Sequence, residues 1–306
     1  MASRAAIVKW LLEGDAAIRW QAMRDLTDTP AEAVAAERAR VADEGWGAEL
    51  LGRQTPEGHW GDDQEHGWMT TTDALQLLRG LGADPGSEKV RQAIDRVRDG
   101  IIWYQLDGQP FFDGETEACI NGRILATGAY FGAGVDPLLE RLLGEQLEDG
   151  GWNCEAPASK RSSFHSTICV LEGLLEYEKA QGPSTAVTDA RVRGEHYLLE
   201  RRMLRSLSSG EVIDARWTRF SFPPSWHYDA LRGLDYLRSA GVKPDQRVAE
   251  AVALVEQRRD DDERWPLDGI HRDHTERLAL DVETEVGKAS RWNTLRALRV
   301  LDWSAS

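Results

Sequence analysis

The sequence predicts an all-α protein of about six helical hairpins, closed into an (α/α)6 toroid with inner and outer helix rings. Three observations indicate this class. A Gln–Trp turn motif recurs along the chain, segments with helical spacing flank the turns, and no segment has a convincing strand pattern. We expect a single domain over residues 1–306, with repeats over about 15–303, because no Pro-rich linker divides the chain.

The turn motif has the form Gln, three residues, Gly, one residue, Trp. It occurs as QTPEGHW at 54–60 and QLEDGGW at 146–152, with a looser copy, QRRDDDERW, at 257–265. In a degenerate copy at 105–112, QLDGQPFF, Phe replaces Trp, and another copy is expected around 217–222. The period of roughly 40–55 residues is typical of helix-pair repeats.

Two sets of helical segments alternate along the chain, one for each ring. The set after the turns has apolar residues three or four apart, as at Ile168, Leu171 and Leu175. That set comprises 74–82, 119–132, 165–180, 227–241 and 291–303, and 15–26 forms a sixth pair with the segment before it. The set before the turns comprises 31–53, 87–104, 136–147, 188–205 and 244–258.

The turn motif itself is expected to be structural. Glycines such as Gly150 allow a tight turn, and the Gln amide can bond free backbone groups at neighbouring helix ends. The Trp ring then covers the turn. We therefore assign Gln54, Trp60, Gln146 and Trp152 to the fold and not to chemistry.

Composition excludes several classes of function. The net charge of −15 argues against a nucleic-acid binder or an anionic membrane surface as the main partner. No apolar run reaches the length of a spanning helix, and the N-terminus does not resemble a signal peptide. The three cysteines have no disulfide-framework spacing, so a reduced, cytoplasmic chain is expected.

The repeated turns resemble the QW repeats of squalene cyclases. The layout over about 15–303 resembles the α-toroid superfamily of class II terpenoid cyclases and protein prenyltransferase β-subunits. This resemblance implies an isoprenoid-type apolar substrate in a central cavity. The D-x-D-D and D-D-x-x-D motifs of terpenoid chemistry are absent, and DDDE at 260–263 and the Asp62–Asp63 pair are interpreted as solvated loops.

A zinc site is implied by the prenyltransferase side of the resemblance. Glu117 and Cys119 form an E-x-C pair at a helix start, and His165 stands at the start of the next comparable helix. Carboxylate, thiolate and imidazole suit a three-ligand zinc site with an open position. Cys154 is a further candidate. Alternatively, Cys119 is a small residue at a close helix contact and His165 caps its helix.

The segment FSFPPSWHYDALRGLDYL, at 220–237, is dense in reactive and aromatic residues. His227 and Asp229, placed in the first helical turn behind a Ser225 cap, are catalytic candidates together with His165. The aromatic residues expected to line a cavity are Phe222, Trp226 and Tyr228, although the same composition suits plain core. Lys288 and Arg291, at another helix start, are expected to meet a diphosphate or carboxylate.

Three classes of function remain open on the sequence. The first is a prenyltransferase-like or cyclase-like enzyme. The second is a glycan-active ring of helices, which would need Glu117 to face Asp229 or Glu283 across a cleft. The third is a non-catalytic toroid that binds protein or lipid. The substrate, the reaction and the oligomeric state do not follow from the sequence.

Overall fold

The computed structural model describes residues 3–61, 67–271, 278 and 280–306, and it confirms the all-α class. The helices, in chain order, are α1 Arg4–Leu12, α2 Ala16–Leu26, α3 Ala31–Ala39, α4 Gly45–Gly52, α5 Gly67–Leu81, α6 Glu88–Gly100, α7 Ala118–Phe131, α8 Asp136–Gly144, α9 Phe164–Gln181, α10 Thr185–Glu200, α11 Ala230–Ser239, α12 Ala249–Gln257 and α13 Arg291–Ser304. A two-stranded antiparallel ribbon pairs β1 (Ile102–Trp103) with β2 (Gln109–Pro110). None of the described helices combines the length and apolar character needed to cross a bilayer.

The two rings differ in how their helices are buried. The inner helices are α2, α5, α7, α9, α11 and α13, and α13 is buried along nearly its whole length. The outer helix α6 buries only Val90, Ala93, Ile94 and Val97, a single stripe with helical spacing. An inner helix contacts neighbours on every side, whereas an outer helix needs one apolar face.

The Gln–Trp turns join the outer helices to the inner ones. The Gln54 side-chain amide donates to the carbonyls of Gly58 (2.9 Å) and Ala93 (2.8 Å), and Gln146 donates to the equivalent carbonyls of Gly150 (2.7 Å) and Ala190 (2.8 Å). One side chain therefore closes the turn and ties it to the next outer helix.

The tryptophans of these turns form a second repeated bond. Each turn also has a hydrogen bond of 2.7 Å from an indole N–H to a backbone carbonyl ten residues earlier, in the preceding outer helix. The donors are Trp60, Trp152 and Trp265. All three rings are almost completely buried. A threonine of the following inner helix bonds the backbone of each Trp: Thr70, Thr167 and Thr294. These threonines belong to the repeat but were not recognised in the sequence.

Three sequence predictions about elements were wrong. The predicted outer segment 31–53 is broken, because α3 ends at Ala39 and α4 starts only at Gly45. The degenerate copy at 105–112 forms the β ribbon, in which Trp103 donates to the Phe111 carbonyl (3.0 Å). Helix α11 starts at Ala230 and not at 227, because Asp229 is its N-cap and accepts from the Arg232 amide (2.7 Å).

Bonds between the first and last helices close the ring. Arg4 of α1 pairs with Asp302 of α13 (2.5 Å), and Arg299 of α13 donates to the Gln21 side chain of α2 (3.0 Å). Arg299 also pairs with Asp25. Residues almost 300 positions apart therefore share one interface, which requires a closed ring and not an open solenoid.

The inner helices α7 and α9 approach each other closely at two glycines. A Cβ atom at Gly122 would lie 2.5 Å from the carbonyl carbon of Cys169 and 2.5 Å from the amide nitrogen of Val170. A Cβ at Gly173 would lie 2.7 Å from the Gly122 carbonyl oxygen. The backbones are in direct contact, and neither glycine has room for a side chain.

Replacing Gly122 tests this contact. We expect Gly122→Ala to lower the free energy of unfolding by ~3 kcal/mol, because its methyl group meets backbone atoms that cannot rotate away. Gly80→Ala is the matched control: Gly80 is also helical, and its added Cβ would meet nothing within 4 Å. Urea denaturation of both variants measures the difference. Equal stability of the two would contradict the contact.

Candidate functional site

A pocket of about 440 Å³ lies at the end of the ring where α5, α7 and α9 begin. The first turns of these three helices supply most of its wall, as expected when equivalent helix starts point to one end of a toroid. Its lining is part apolar, through Trp68, Met69, Ile120 and Trp226, and part polar. Glu117, Cys119, Cys154 and His165 are among the polar lining residues.

Three potential metal ligands converge in this pocket. One side-chain oxygen of Glu117 and the sulfurs of Cys119 and Cys154 all lie within 4.8 Å of one another. Glu117 is the N-cap residue of α7, and Cys119 lies in its first turn. Cys154 follows the turn at Trp152 and is held from α9, where the Ser166 hydroxyl lies 3.2 Å from its sulfur.

The pKa values of the Cys119 and Cys154 thiols are shifted in opposite directions. The hydrogen bond from the Cys119 thiol lowers the pKa of Cys154, and the Ser166 hydroxyl acts in the same direction. The backbone N–H of Cys119, in the first turn of α7, also donates to the Cys154 sulfur (3.2 Å). The same bond to Cys154, with burial, raises the pKa of Cys119. Cys154 is therefore the thiol that ionises first, at a helix N-terminus that favours a thiolate.

The donor set fits zinc. Thiolates select soft or borderline ions such as zinc, and a carboxylate is an accepted third ligand. Three protein ligands beside an open pocket would leave a coordination position for a substrate or water, as catalytic zinc sites do. The surroundings also suit a metal, because one thiol is already disposed to lose its proton.

His165 lies on the wall of this pocket but is not among the three converging donors. Its Nδ1 accepts a hydrogen bond from the Tyr228 amide (2.8 Å). Burial and then the nearby Arg232 charge lower the pKa of His165 to about 4. The ring is therefore neutral near pH 7, and its proton is on Nε2. Cys154 takes the place that the sequence prediction gave to His165.

His227 belongs to a stack of rings beside the pocket. Its imidazole lies 3.8 Å from the ring of Trp226 and 3.7 Å from that of His271, nearly parallel to the latter at 11°. The His165 ring is 5.9 Å away, at 87°. Of the three residues predicted as catalytic, His165 and His227 are therefore brought together. The Asp62–Asp63 pair lies outside the described residues.

No family model and no curated protein matches this chain. Among solved structures, a protein from Actinoplanes aligns with 16% identity over 95% of this chain and 90% of that chain, at a TM-score of 0.46. A type II terpene cyclase from Scytonema, in its apo form, aligns with 16% identity over 97% of this chain and 85% of that chain, at a TM-score of 0.44. These similarities assign neither a family nor an activity.

Two carboxylates considered from the sequence serve as helix caps. Asp229 caps α11, and burial raises its pKa. Glu283 accepts from the backbone amides of Arg291 (2.7 Å) and Trp292 (3.4 Å) at the start of α13. Both groups satisfy helix N-termini, which explains why the chain places carboxyl groups there.

The predicted substrate-binding residues are dispersed. Trp226 lines the pocket with the three converging donors, and Phe222 lines a second cavity on the ring axis. Tyr228 is buried core, with its hydroxyl donating to the Met203 carbonyl (2.6 Å). Lys288 is exposed, and the Arg291 guanidinium lies over the Trp10 ring at 4.5 Å. Neither cation lines either cavity.

Sequence reasoning missed a buried ion pair at the base of the pocket. Arg123 of α7 pairs with Asp73 of α5 and donates to the Gln76 side chain (2.6 Å). The Ser225 hydroxyl also lies 3.2 Å from Asp73. Arg123 is one helical turn from Cys119, so the i, i+4 spacing was an available signal for a shared face.

The lowered pKa of His165 predicts a pH dependence of stability. Above about pH 6.5 the His165 imidazole is neutral in both the folded and the unfolded state. Between pH 6.5 and pH 4 the imidazole takes up a proton in the unfolded chain but stays neutral in the folded protein. Stability is therefore lost as pH falls through this window. We expect His165→Gln, which keeps an acceptor for Tyr228, to lose less stability between pH 7 and pH 4.5 than the wild type.

Urea midpoints at several pH values measure this effect. His196→Gln, on the exposed side of α10, is the control and should reproduce the wild-type pH profile. Parallel profiles for His165→Gln and the wild type would contradict the assignment.

Proposed function

We propose that this chain is a metal-dependent enzyme of the prenyltransferase-like or cyclase-like class, acting on an isoprenoid-type apolar substrate. The metal ion, zinc by its donor chemistry, would be held by Glu117, Cys119 and Cys154. The observation that carries the proposal is the convergence of these three donors within 4.8 Å on a pocket with apolar walls.

The pocket offers complementary places for the two ends of such a substrate. Trp68, Met69, Ile120 and Trp226 present apolar surface, and the volume of about 440 Å³ lies in the range of small-molecule sites. Trp226 and Trp68 also supply ring faces that stabilise a developing cation. The Asp73–Arg123 pair provides the polar wall, where Arg123 would orient an anionic group.

The protein groups have distinct roles in this proposal. A bound zinc ion would act as a Lewis acid and lower the pKa of a coordinated thiol or water. Ser166 and the Cys119 amide hold Cys154 in place. His165, neutral with a protonated Nε2, is suited to donate a hydrogen bond, and its Nδ1 bond to Tyr228 fixes the ring.

The other classes of function have less support. A glycan-active site would need two free carboxylates facing each other, but Asp229 and Glu283 are both engaged at helix N-termini. A non-catalytic toroid does not require a convergent pair of thiols with a carboxylate beside an open pocket.

Metal content is the first test. Protein purified without added zinc is expected to contain about one zinc ion per chain. Cys119→Ser and Cys154→Ser should each weaken zinc binding at least ~100-fold, since loss of even an outer partner of a ligand costs 10–100-fold. Cys169→Ser is the matched control, because Cys169 is buried and lies outside the three-donor cluster.

Elemental analysis and competition with a chromophoric chelator measure both quantities. Zinc retained by Cys154→Ser at wild-type affinity would refute the ligand assignment. Absence of zinc from all four proteins would remove metal dependence from the proposal.

Catalysis is tested separately, with prenyl diphosphates and small thiol acceptors. Mass spectrometry is expected to detect a thioether product with the wild type and Cys169→Ser. Cys154→Ser should reduce the rate at least ~100-fold, because the metal is lost. Product formation at equal rates in Cys154→Ser would overturn metal-dependent transfer, and no product with the zinc-loaded wild type would overturn the prenyltransferase-like assignment.

A further inference from the structure

A second cavity, of about 200 Å³, lies on the axis of the ring. Residues of α2, α5, α9, α11 and α13 line it, together with the segment before α11 and described residues near 280. Asp73 also lines the metal pocket, but the zinc-ligand candidates do not line the axial cavity. The axial cavity is therefore a separate site, and ligand binding there does not depend on a metal ion.

The charge of the axial cavity differs from that of the protein. The chain as a whole carries −15, yet the cations Arg79, Lys179, Arg232, Arg296 and Arg299 outnumber the anions Asp73, Glu172, Glu176 and Asp235 by one. The ion-pair partners behind this lining, Arg123, Arg238, Asp25 and Asp229, add two charges of each sign and leave the excess unchanged. Among the described residues the excess cation is Lys179, whose side chain is 48% exposed and pairs with Glu176, so the buried charges around the cavity balance.

Helix α13 presents the least satisfied of these cations. Trp292, Arg296 and Arg299 line the cavity at i, i+4 and i+7, so they share one helix face. Arg296 is 6% exposed, and its polar contacts with described residues are long: 3.3 Å to the Ser221 carbonyl, 3.5 Å to Asn293 and 3.9 Å to Asp229. These distances are at or beyond the limit of a good charge-assisted hydrogen bond.

Unpaired donors flank Arg296 on the same face. The buried Nε1 of Trp292 and Nε of Arg299 have no hydrogen-bond partner, and the two residues are 2% and 6% exposed. Arg79, across the cavity on α5, also has an unpaired buried Nε. Buried donors are normally satisfied, so this group points to an acceptor that the protein does not supply.

Another part of the cavity wall is apolar. Phe222 is stacked on Trp292, with ring centroids 4.3 Å apart and planes 9° apart. Leu77, Leu280 and Val282 complete this wall. A ligand that satisfies the cavity therefore needs an anionic end and an apolar body.

We propose that the axial cavity binds a small organic monocarboxylate, with its carboxylate at Arg296 and its apolar body against Phe222 and Trp292. A planar carboxylate matches a guanidinium and supplies acceptors for the flanking N–H groups. A monocarboxylate adds one negative charge beside Arg296, whose own contact with the Asp229 carboxylate is 3.9 Å long. A diphosphate would bury further negative charges without counter-ions, at a large desolvation cost.

The state of Arg299 agrees with this assignment. Burial lowers its pKa to about 10, although Asp25 and Asp235 act in the opposite direction. An added carboxylate nearby would favour the charged guanidinium and recover part of that lost hydration.

Calorimetric titration of the full chain tests the proposal. The probes are hexanoate and phenylacetate, and hexanamide and phenylacetamide are their neutral counterparts of the same shape. We expect each carboxylate to bind at least about tenfold more tightly than its amide, as one charge-assisted hydrogen bond implies. Arg296→Gln should weaken carboxylate binding about tenfold or more and leave the amides unchanged.

Two further variants keep the test decisive. Arg191→Gln removes another largely buried, ion-paired arginine that does not line the cavity, so carboxylate affinity should be retained. Val282→Phe narrows the apolar end, keeps every charge, and should abolish phenylacetate binding. If circular dichroism shows that Arg296→Gln is unfolded, the Val282→Phe variant still tests whether phenylacetate binds in the axial cavity.

Three results would overturn the proposal. Equal affinity for carboxylates and amides would show that the cavity does not recognise the negative charge of the carboxylate. Tighter binding of an alkyl diphosphate than of either carboxylate would assign the cavity to a polyanion. No binding of any probe to the wild type would mean that only water satisfies the unpaired donors.

Discussion

The direct backbone contact between α7 and α9 is the constraint on which the candidate site depends. Gly122 and Gly173 allow the two helices to approach until no side chain fits between them. At that distance the starts of both helices reach the loop between α8 and α9. Cys154 in the loop then accepts from the Cys119 amide of α7 and lies beside the Ser166 hydroxyl of α9. Any bulk between the helices would separate these groups and leave a buried thiol without partners.

The ring carries two chemically different cavities. The pocket at the helix starts concentrates thiols, a carboxylate and aromatic surface, whereas the axial cavity concentrates ion pairs against an apolar wall. Asp73 lines both, and its bond to Arg123 separates the two environments. Burying so many charges on the axis is tolerated because most are paired, as Glu172 is with both Arg79 and Arg232. The Arg79 and Arg232 charges hold the pKa of Glu172 at about 2 despite its burial.

The repeat, the ring and the buried faces could be read from the sequence because they follow from local periodicity. Gln54 and Gln146 do bridge a turn to the next outer helix, as their amide chemistry suggested. The break after Ala39 and the late start of α11 could not be read in the same way. Both depend on loop conformation, where a positive φ at Gly45 and at Ser225 redirects the chain. Apolar spacing contains no signal for such a turn.

The sequence by itself determined the all-α class, the residues of the Gln–Trp turns and the presence of Glu117 and Cys119 at one helix start, because each depends on neighbours within a few residues. Only the tertiary structure decided that Cys154 and not His165 joins them, since that depends on where a loop and two helices meet in space. The tertiary structure also decided which charged side chains surround the axial cavity. Arg79, Arg232, Arg296 and Arg299 come from three separate helices, and only ring closure gathers them around one cavity.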